Sequence, residues 1–175
     1  IRPVGGHDQR VLLQLVQALA IQMPDLLELI ERALARPKII KLGHARIGFI
    51  TGSMDLGCTL ERLDGYRSAL RTHHLPHAPE LIYEGDFFQP DGYAGAFALL
   101  DLPDPPTAIF ASNDVMAMGV MDAVRNRGLR VPEDISIVGF DDIPQASLIH
   151  PAMTTINQPL EKMGRVATQM LLDLL

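Results

Sequence analysis

From Ala45 onward, short apolar runs alternate with segments whose apolar residues recur at helical spacing, the pattern of consecutive βαβ units feeding a parallel sheet. The runs predict strands over residues 46–51, 80–85, 107–111 and 135–140, each ending at a glycine or a polar cluster. Between them, helical periodicity covers residues 59–72, 92–100 and 114–127. The third helix is the most sharply marked. Met116, Ala117, Val120, Ala123 and Val124 form one stripe, Ser112 or Asn113 suits its N-cap, and Gly128 suits the position just past its end. Pro103, Pro105 and Pro106 stop the second helix, and Pro132 with Glu133 and Asp134 punctuates the turn into the fourth strand. Beyond Asp142 the pattern reads as a loop holding Pro144 and Pro151, an extended piece over 153–157, and a last helix from Leu160.

Residues 1–43 depart from this rhythm. They read as two Leu- and Ala-rich helices broken at Pro24, with Leu12, Leu15, Val16, Leu19 and Met23 on one face of a helix over 8–23. The helix from Leu160 carries a comparable stripe of Met163, Val166, Ala167, Met170, Leu171 and Leu174. The expected organisation is an atypical helical segment over 1–43, an α/β domain over 44–159, and a terminal helix over 160–175.

Composition narrows the function classes. Of 175 residues, 47% are hydrophobic and 21% charged, enough to bury one ordinary core. A net charge of -6 argues against a free-standing nucleic-acid binder, which needs a basic face to displace counterions from phosphates. One cysteine, Cys58, precludes an internal disulfide and accords with a reducing compartment, so a cytoplasmic location is expected. The apolar run 11–30 is interrupted by Gln14, Gln17, Gln22, Pro24, Asp25 and Glu28, so it reads as an amphipathic helix and not as a membrane span. Because Ile1 and not methionine opens the chain, a preceding segment is expected to have been removed.

In an open parallel sheet, ligands bind beyond the carboxyl ends of the strands. The first predicted strand runs into Gly52 and the helix bearing Arg62, the second into Asp86, Phe87 and Phe88, the third into Asn113 and Asp114, and the fourth into Asp141 and Asp142. An arginine offers only donors, a carboxylate only acceptors, and an amide both. That mixture suits vicinal hydroxyls, each of which donates and accepts, while a phenylalanine ring can cover an apolar sugar or base face. Each residue also has a plainer role: Asn113 as an N-cap, Asp141 or Asp142 as a loop cap, Phe87 in the core, Arg62 on the surface. Their common placement is what favours a ligand.

Other patterns carry less. The stretch from Gly52 to Thr59 imitates a phosphate loop but has Cys58 where a lysine is needed. His73, His74 and His77 flank Pro76 in a polar turn without nearby cysteines and read as a solvated loop, not a metal site. No nucleophile elbow, dinucleotide fingerprint or paired acid and base is visible, so no catalytic activity, metal or cofactor is expected.

The stretch TAIFASNDVMAMGVMDAVRNRGLRVPEDISIVGFDD from Thr107, followed by PAMTTINQPLEKMG, closely resembles the effector-binding core of LacI/GalR-type bacterial transcriptional regulators. GHARIGFITG, ERLDGYRSAL and YEGDFFQPDGY extend the resemblance back to Gly43, over about three quarters of the chain. The resemblance implies a periplasmic-binding-protein-like fold in which two α/β subdomains clamp a sugar or nucleobase-like effector. It places effector contacts at Arg62 of RLDGY, Phe87 of GDF, Asn113 of SND, Asp141 of GFDD and Gln158 of TTINQP. It further implies a homodimeric parent that reaches operator DNA through a helix-turn-helix headpiece not recognisable in this chain. The helix from Leu160 would then be the return toward a partner subdomain. The competing reading is a sugar-binding protein of a transport system with the same fold, which requires export.

Overall fold

The computed structural model describes residues 39–173. The helices expected before Ile39, including the one over 8–23, lie outside the described residues. Two compact units divide the chain, one ending at Gln158 and the other containing Pro159 onward.

The first unit is built on a five-stranded, all-parallel sheet: β1 (Ile47–Thr51), β2 (Ile82–Glu84), β3 (Ala108–Ala111), β4 (Ser136–Asp141) and β5 (Thr154–Asn157), in the order β2-β1-β3-β4-β5. The helices are α1 (Gly57–Thr72) after β1, α2 (Gln89–Leu100) after β2, α3 (Asp114–Asn126) after β3 and α4 (Pro144–Leu148) after β4. Every residue of β1 and β3 is buried, as a sheet covered on both faces requires. On one face Phe49 stacks between Tyr66 of α1 and Phe110 of β3, with ring centres 5.1 and 4.9 Å apart. On the other, Ile50, Ile109 and Ala111 pack with Ala96 and Leu99 of α2 and with Met116 and Val120 of α3. Tyr66 keeps its hydroxyl paired by donating to the Ile47 carbonyl at 2.7 Å.

The expected elements are present, with shifted ends. The strand predicted over 80–85 is shorter, because Pro79 opens a 3-10 turn over Pro79–Leu81 and leaves only Ile82–Glu84 extended at the sheet edge. Helix α2 begins three residues earlier than expected, with Pro90 in its first turn, where a missing N–H costs nothing. Pro144 has the same effect in the region read as loop: it starts the one-turn helix α4.

Helix α3 ends as the sequence suggests. Asn113 Oδ1 accepts from the Met116 N–H at 2.8 Å, and Gly128 takes the left-handed conformation (φ 71°) that closes the C-terminus. In the second unit, α5 (Leu160–Leu172) forms where the terminal helix was expected. Among the described residues no helix is long and apolar enough to cross a membrane.

Candidate functional site

The five parallel strands all end at one edge, and the strand ends with the segments that follow them carry all five residues named above. Arg62 lies one turn into α1 and is buried, 6% exposed. Its guanidinium carbon sits 4.3 Å from the centre of the Phe140 ring and 5.5 Å from that of Phe87. A guanidinium between two aromatic rings is held by cation–π attraction without hydrogen bonds being consumed.

Arg62 Nη2 stands 3.8 Å from Asp141 Oδ1, close enough for attraction but too far for a direct hydrogen bond. The same oxygen accepts from Gln158 Nε2 at 2.6 Å. Arg62, Asp141, Gln158 and Phe87 therefore form one connected cluster. At this spacing the attraction is about 4 kcal/mol for an effective dielectric near 20. Burial nevertheless dominates both partners. It holds the Arg62 guanidinium below its ordinary value, opposed by Asp141, and pushes the Asp141 carboxyl up, opposed by Arg62 and Gln158.

Arg62 Nε, Thr59 Oγ1 and Ser112 Oγ are buried without a hydrogen-bond partner among the described residues. Thr59 and Arg62 are three apart on α1 and share a helix face; Ser112 follows β3 directly. Buried polar atoms left unpaired are uncommon and ask for a reason.

Asn113 joins the cluster indirectly. Its side chain caps α3 and also donates from Nδ2 to the Phe87 carbonyl at 3.1 Å, so it ties the α3 N-terminus to the loop carrying Phe87. One amide N–H and one lone pair remain for another partner. Both alternatives open for Asn113 are thus compatible, since the cap and the bond to Phe87 together use only half its capacity.

Three residues at this edge adopt positive φ: Phe87 at 66°, Asp141 at 117° and Asp142 at 60°. Non-glycine residues in that region cost on the order of 1–3 kcal/mol each unless the surroundings hold them. Phe87 is held because its ring lies against Gly52, where an added Cβ would fall 2.0 Å from Cε2 and Cζ. The glycine that imitates a phosphate loop in the sequence is therefore a seat for an aromatic ring.

Asp141 and Asp142 are held by a residue that motif reading did not single out. Asp114 is fully buried, accepts from Thr155 Oγ1 at 2.5 Å and from the Ile143 N–H at 2.9 Å, and so joins α3 to β5 and the loop after β4. Thr155 Oγ1 accepts in turn from the Asp142 N–H at 3.2 Å, and Asn157 Nδ2 donates to Asp142 Oδ2 at 2.8 Å. Burial pushes the Asp114 carboxyl up, and these hydrogen bonds oppose it. The available signal was a carboxylate inside an otherwise apolar helix stripe, adjacent to the cap. Among the described residues no group of three His, Cys, Asp or Glu is arranged to hold a metal.

A family model described as a periplasmic binding protein-like domain matches residues 38–175. The transcriptional repressor CytR of Escherichia coli is 45% identical over 131 residues, 75% of this chain and 38% of that protein. The repressor PurR of Aliivibrio salmonicida is 39% identical over 140 residues, 80% of this chain and 42% of that protein. The chain thus spans about two fifths of the curated relatives it matches. Among solved structures, the transcriptional regulator CelR in complex with cellobiose superposes with a TM-score of 0.79 at 39% identity, over 85% of this chain and 45% of that one.

Proposed function

Because this chain belongs to the LacI/GalR family of transcriptional regulators, as its periplasmic-binding-protein-like effector domain, we propose that it senses a small polar effector, a sugar or a close chemical relative. The observation that carries this reading is the Arg62 and Asp141 pair. Its partners sit 3.8 Å apart, burial disfavours both charged forms, and Arg62 Nε is unpaired. A ligand hydroxyl donates to Asp141 while accepting from Arg62, which compensates both charges at once. Gln158 and the unused half of the Asn113 amide supply further donors and acceptors, and the Phe87 ring offers a face for the apolar side of a sugar. Complex formation between CelR and cellobiose supports a saccharide over a nucleobase.

Transcriptional control is exerted, on this reading, by a cytoplasmic parent protein whose DNA-reading headpiece lies outside these residues. The relatives are transcriptional repressors, which favours a sensor over a transport-system binding protein and over an enzyme. We further propose that the parent is a homodimer. This rests on the family resemblance, which implies a homodimeric parent.

Isothermal calorimetry with cellobiose and a panel of monosaccharides and nucleosides tests the effector assignment. Asp141→Ala removes a charged acceptor and leaves its donors unpaired, so binding should weaken by about 2–4 kcal/mol. Unchanged affinity in a folded Asp141→Ala protein would contradict the assignment.

A further inference from the structure

The histidine turn after α1 did not enter the site above, and its surroundings give it a different use. Arg67, Arg71, His74, Leu75 and His77 line a groove of about 510 Å³. Four of these five residues bear nitrogen donors, and none bears a carboxylate.

The pairing within the groove leaves those donors underused. Arg67 Nε donates to His77 Nε2 at 3.3 Å. Arg71 Nη2 donates to Ser68 Oγ at 3.3 Å. The carboxylate within ion-pair range of a groove cation, among the described residues, is Asp64, 4.0 Å from Arg67 Nη1 and 66% exposed. An exposed pair at that distance is worth little. Among the described residues, two guanidinium groups and two imidazoles therefore share one poorly matched anion.

A helix C-terminus attracts cations, which accounts for Arg71 in the last turn of α1. It accounts neither for Arg67 a turn earlier nor for His77 beyond the turn. His74 is a further departure. It occupies the left-handed position that closes α1 (φ 54°), with its N–H donating to Arg71 O and the Leu75 N–H donating to Leu70 O. The equivalent position after α3 is Gly128, the residue that takes this conformation without strain. At α1 the same place holds a side chain that faces the groove.

We propose that this groove is a second ligand site, distinct from the effector crevice, which binds a phosphate-type oxyanion through Arg67, Arg71, His74 and His77. Guanidinium groups match the oxygen geometry of phosphate, and imidazole N–H groups add single donors. A dianion suits the site better than a carboxylate because it meets two permanent cations. Leu75 supplies an apolar wall against which the organic part of a phosphate monoester can rest.

Titration of the full chain with inorganic phosphate, followed by amide chemical shifts at constant ionic strength, tests the proposal. The expected result is saturable shifts confined to residues 67–77, with at least tenfold weaker binding in Arg67→Gln and in Arg71→Gln and no change in Arg62→Gln. Both groove variants alter exposed side chains and should retain the thermal midpoint. A parallel titration with a monosaccharide phosphate separates the sources: tighter binding than inorganic phosphate assigns an organic ester, and equal binding assigns the free ion. Equal shifts with chloride, or non-saturating shifts across the surface, overturn the proposal. So does phosphate binding that Arg62→Gln abolishes, which would place the anion in the effector crevice. Failure of sugar binding, by contrast, leaves this outcome untouched.

Discussion

Adding one methyl group at Gly52 is expected to dislodge the ring of Phe87. The new Cβ would lie 2.0 Å from two ring carbons, and ordinary contact begins near 3.4 Å, so the ring or the strand end must move by more than an ångström. Phe87 has little freedom to yield. Its backbone is in the left-handed region, and its carbonyl is held by Asn113 Nδ2 at 3.1 Å. Overpacking of this kind costs about 1–3 kcal/mol. Removing the half-buried ring by Phe87→Ala costs a similar amount, roughly 1–3 kcal/mol, from lost apolar burial. The double variant Gly52→Ala/Phe87→Ala should then be at least about 1 kcal/mol more stable than the sum of the single effects predicts, because the methyl group occupies space the ring has left. Urea denaturation of the four proteins closes the cycle, and calorimetry on Gly52→Ala should show weakened effector binding, since the ring also flanks Arg62 at 5.5 Å. Additivity within about 0.5 kcal/mol would refute the claim that Gly52 is a glycine for the sake of Phe87.

Asp114→Ala leaves the Thr155 hydroxyl and the Ile143 N–H without their acceptor and should destabilise the domain by about 2–4 kcal/mol, read as a lower urea midpoint at unchanged slope. His44 bridges Thr107 Oγ1 at 2.8 Å and Ser136 Oγ at 3.0 Å, and burial holds its imidazole below the ordinary value, so the folded state favours the neutral ring. Its stabilising contribution is therefore complete above about pH 6.5 and is lost as pH falls through that value toward the folded pKa. His44→Asn should flatten the stability profile below pH 6.5, and an unchanged profile would remove His44 as its source. With a net charge of -6 the chain alone should give no sequence-dependent retardation of duplex DNA in a low-salt mobility shift; retardation at submicromolar protein would contradict this.

The parallel α/β architecture was legible because its determinants are local and periodic. Strands buried on both faces must be apolar throughout, as in IGFIT and AIFA, and α3 needs a stripe, a cap and a closing glycine, all visible between Asn113 and Gly128. Short proline-started elements were not legible. Pro144 read as part of a loop and Pro79 stood just outside the predicted strand, yet each begins a helical turn, since a proline at the first helical position needs no N–H partner.

For the site, residue types and the fold rule about strand ends were enough to bring Arg62, Phe87, Asn113 and Asp141 to one edge; the motif resemblance added Gln158. What no linear pattern contains is which atoms meet. Phe140 appeared as a buried strand residue and proves to be one of two rings flanking Arg62. Gly52 appeared as the start of a phosphate-loop imitation and proves to be a ring seat. Asp114 appeared beside Asn113 as a polar residue at the end of the third strand and proves to brace β5 and the loop after β4. Each of these roles depends on a contact between residues 29 to 78 positions apart in sequence, so its energy exists only once the sheet has closed the distance. Periodicity and capping act over a few residues and survive in the linear text. Pairing of a buried charge, the seating of a ring and the bracing of a strained loop are decided by which neighbours the tertiary fold supplies.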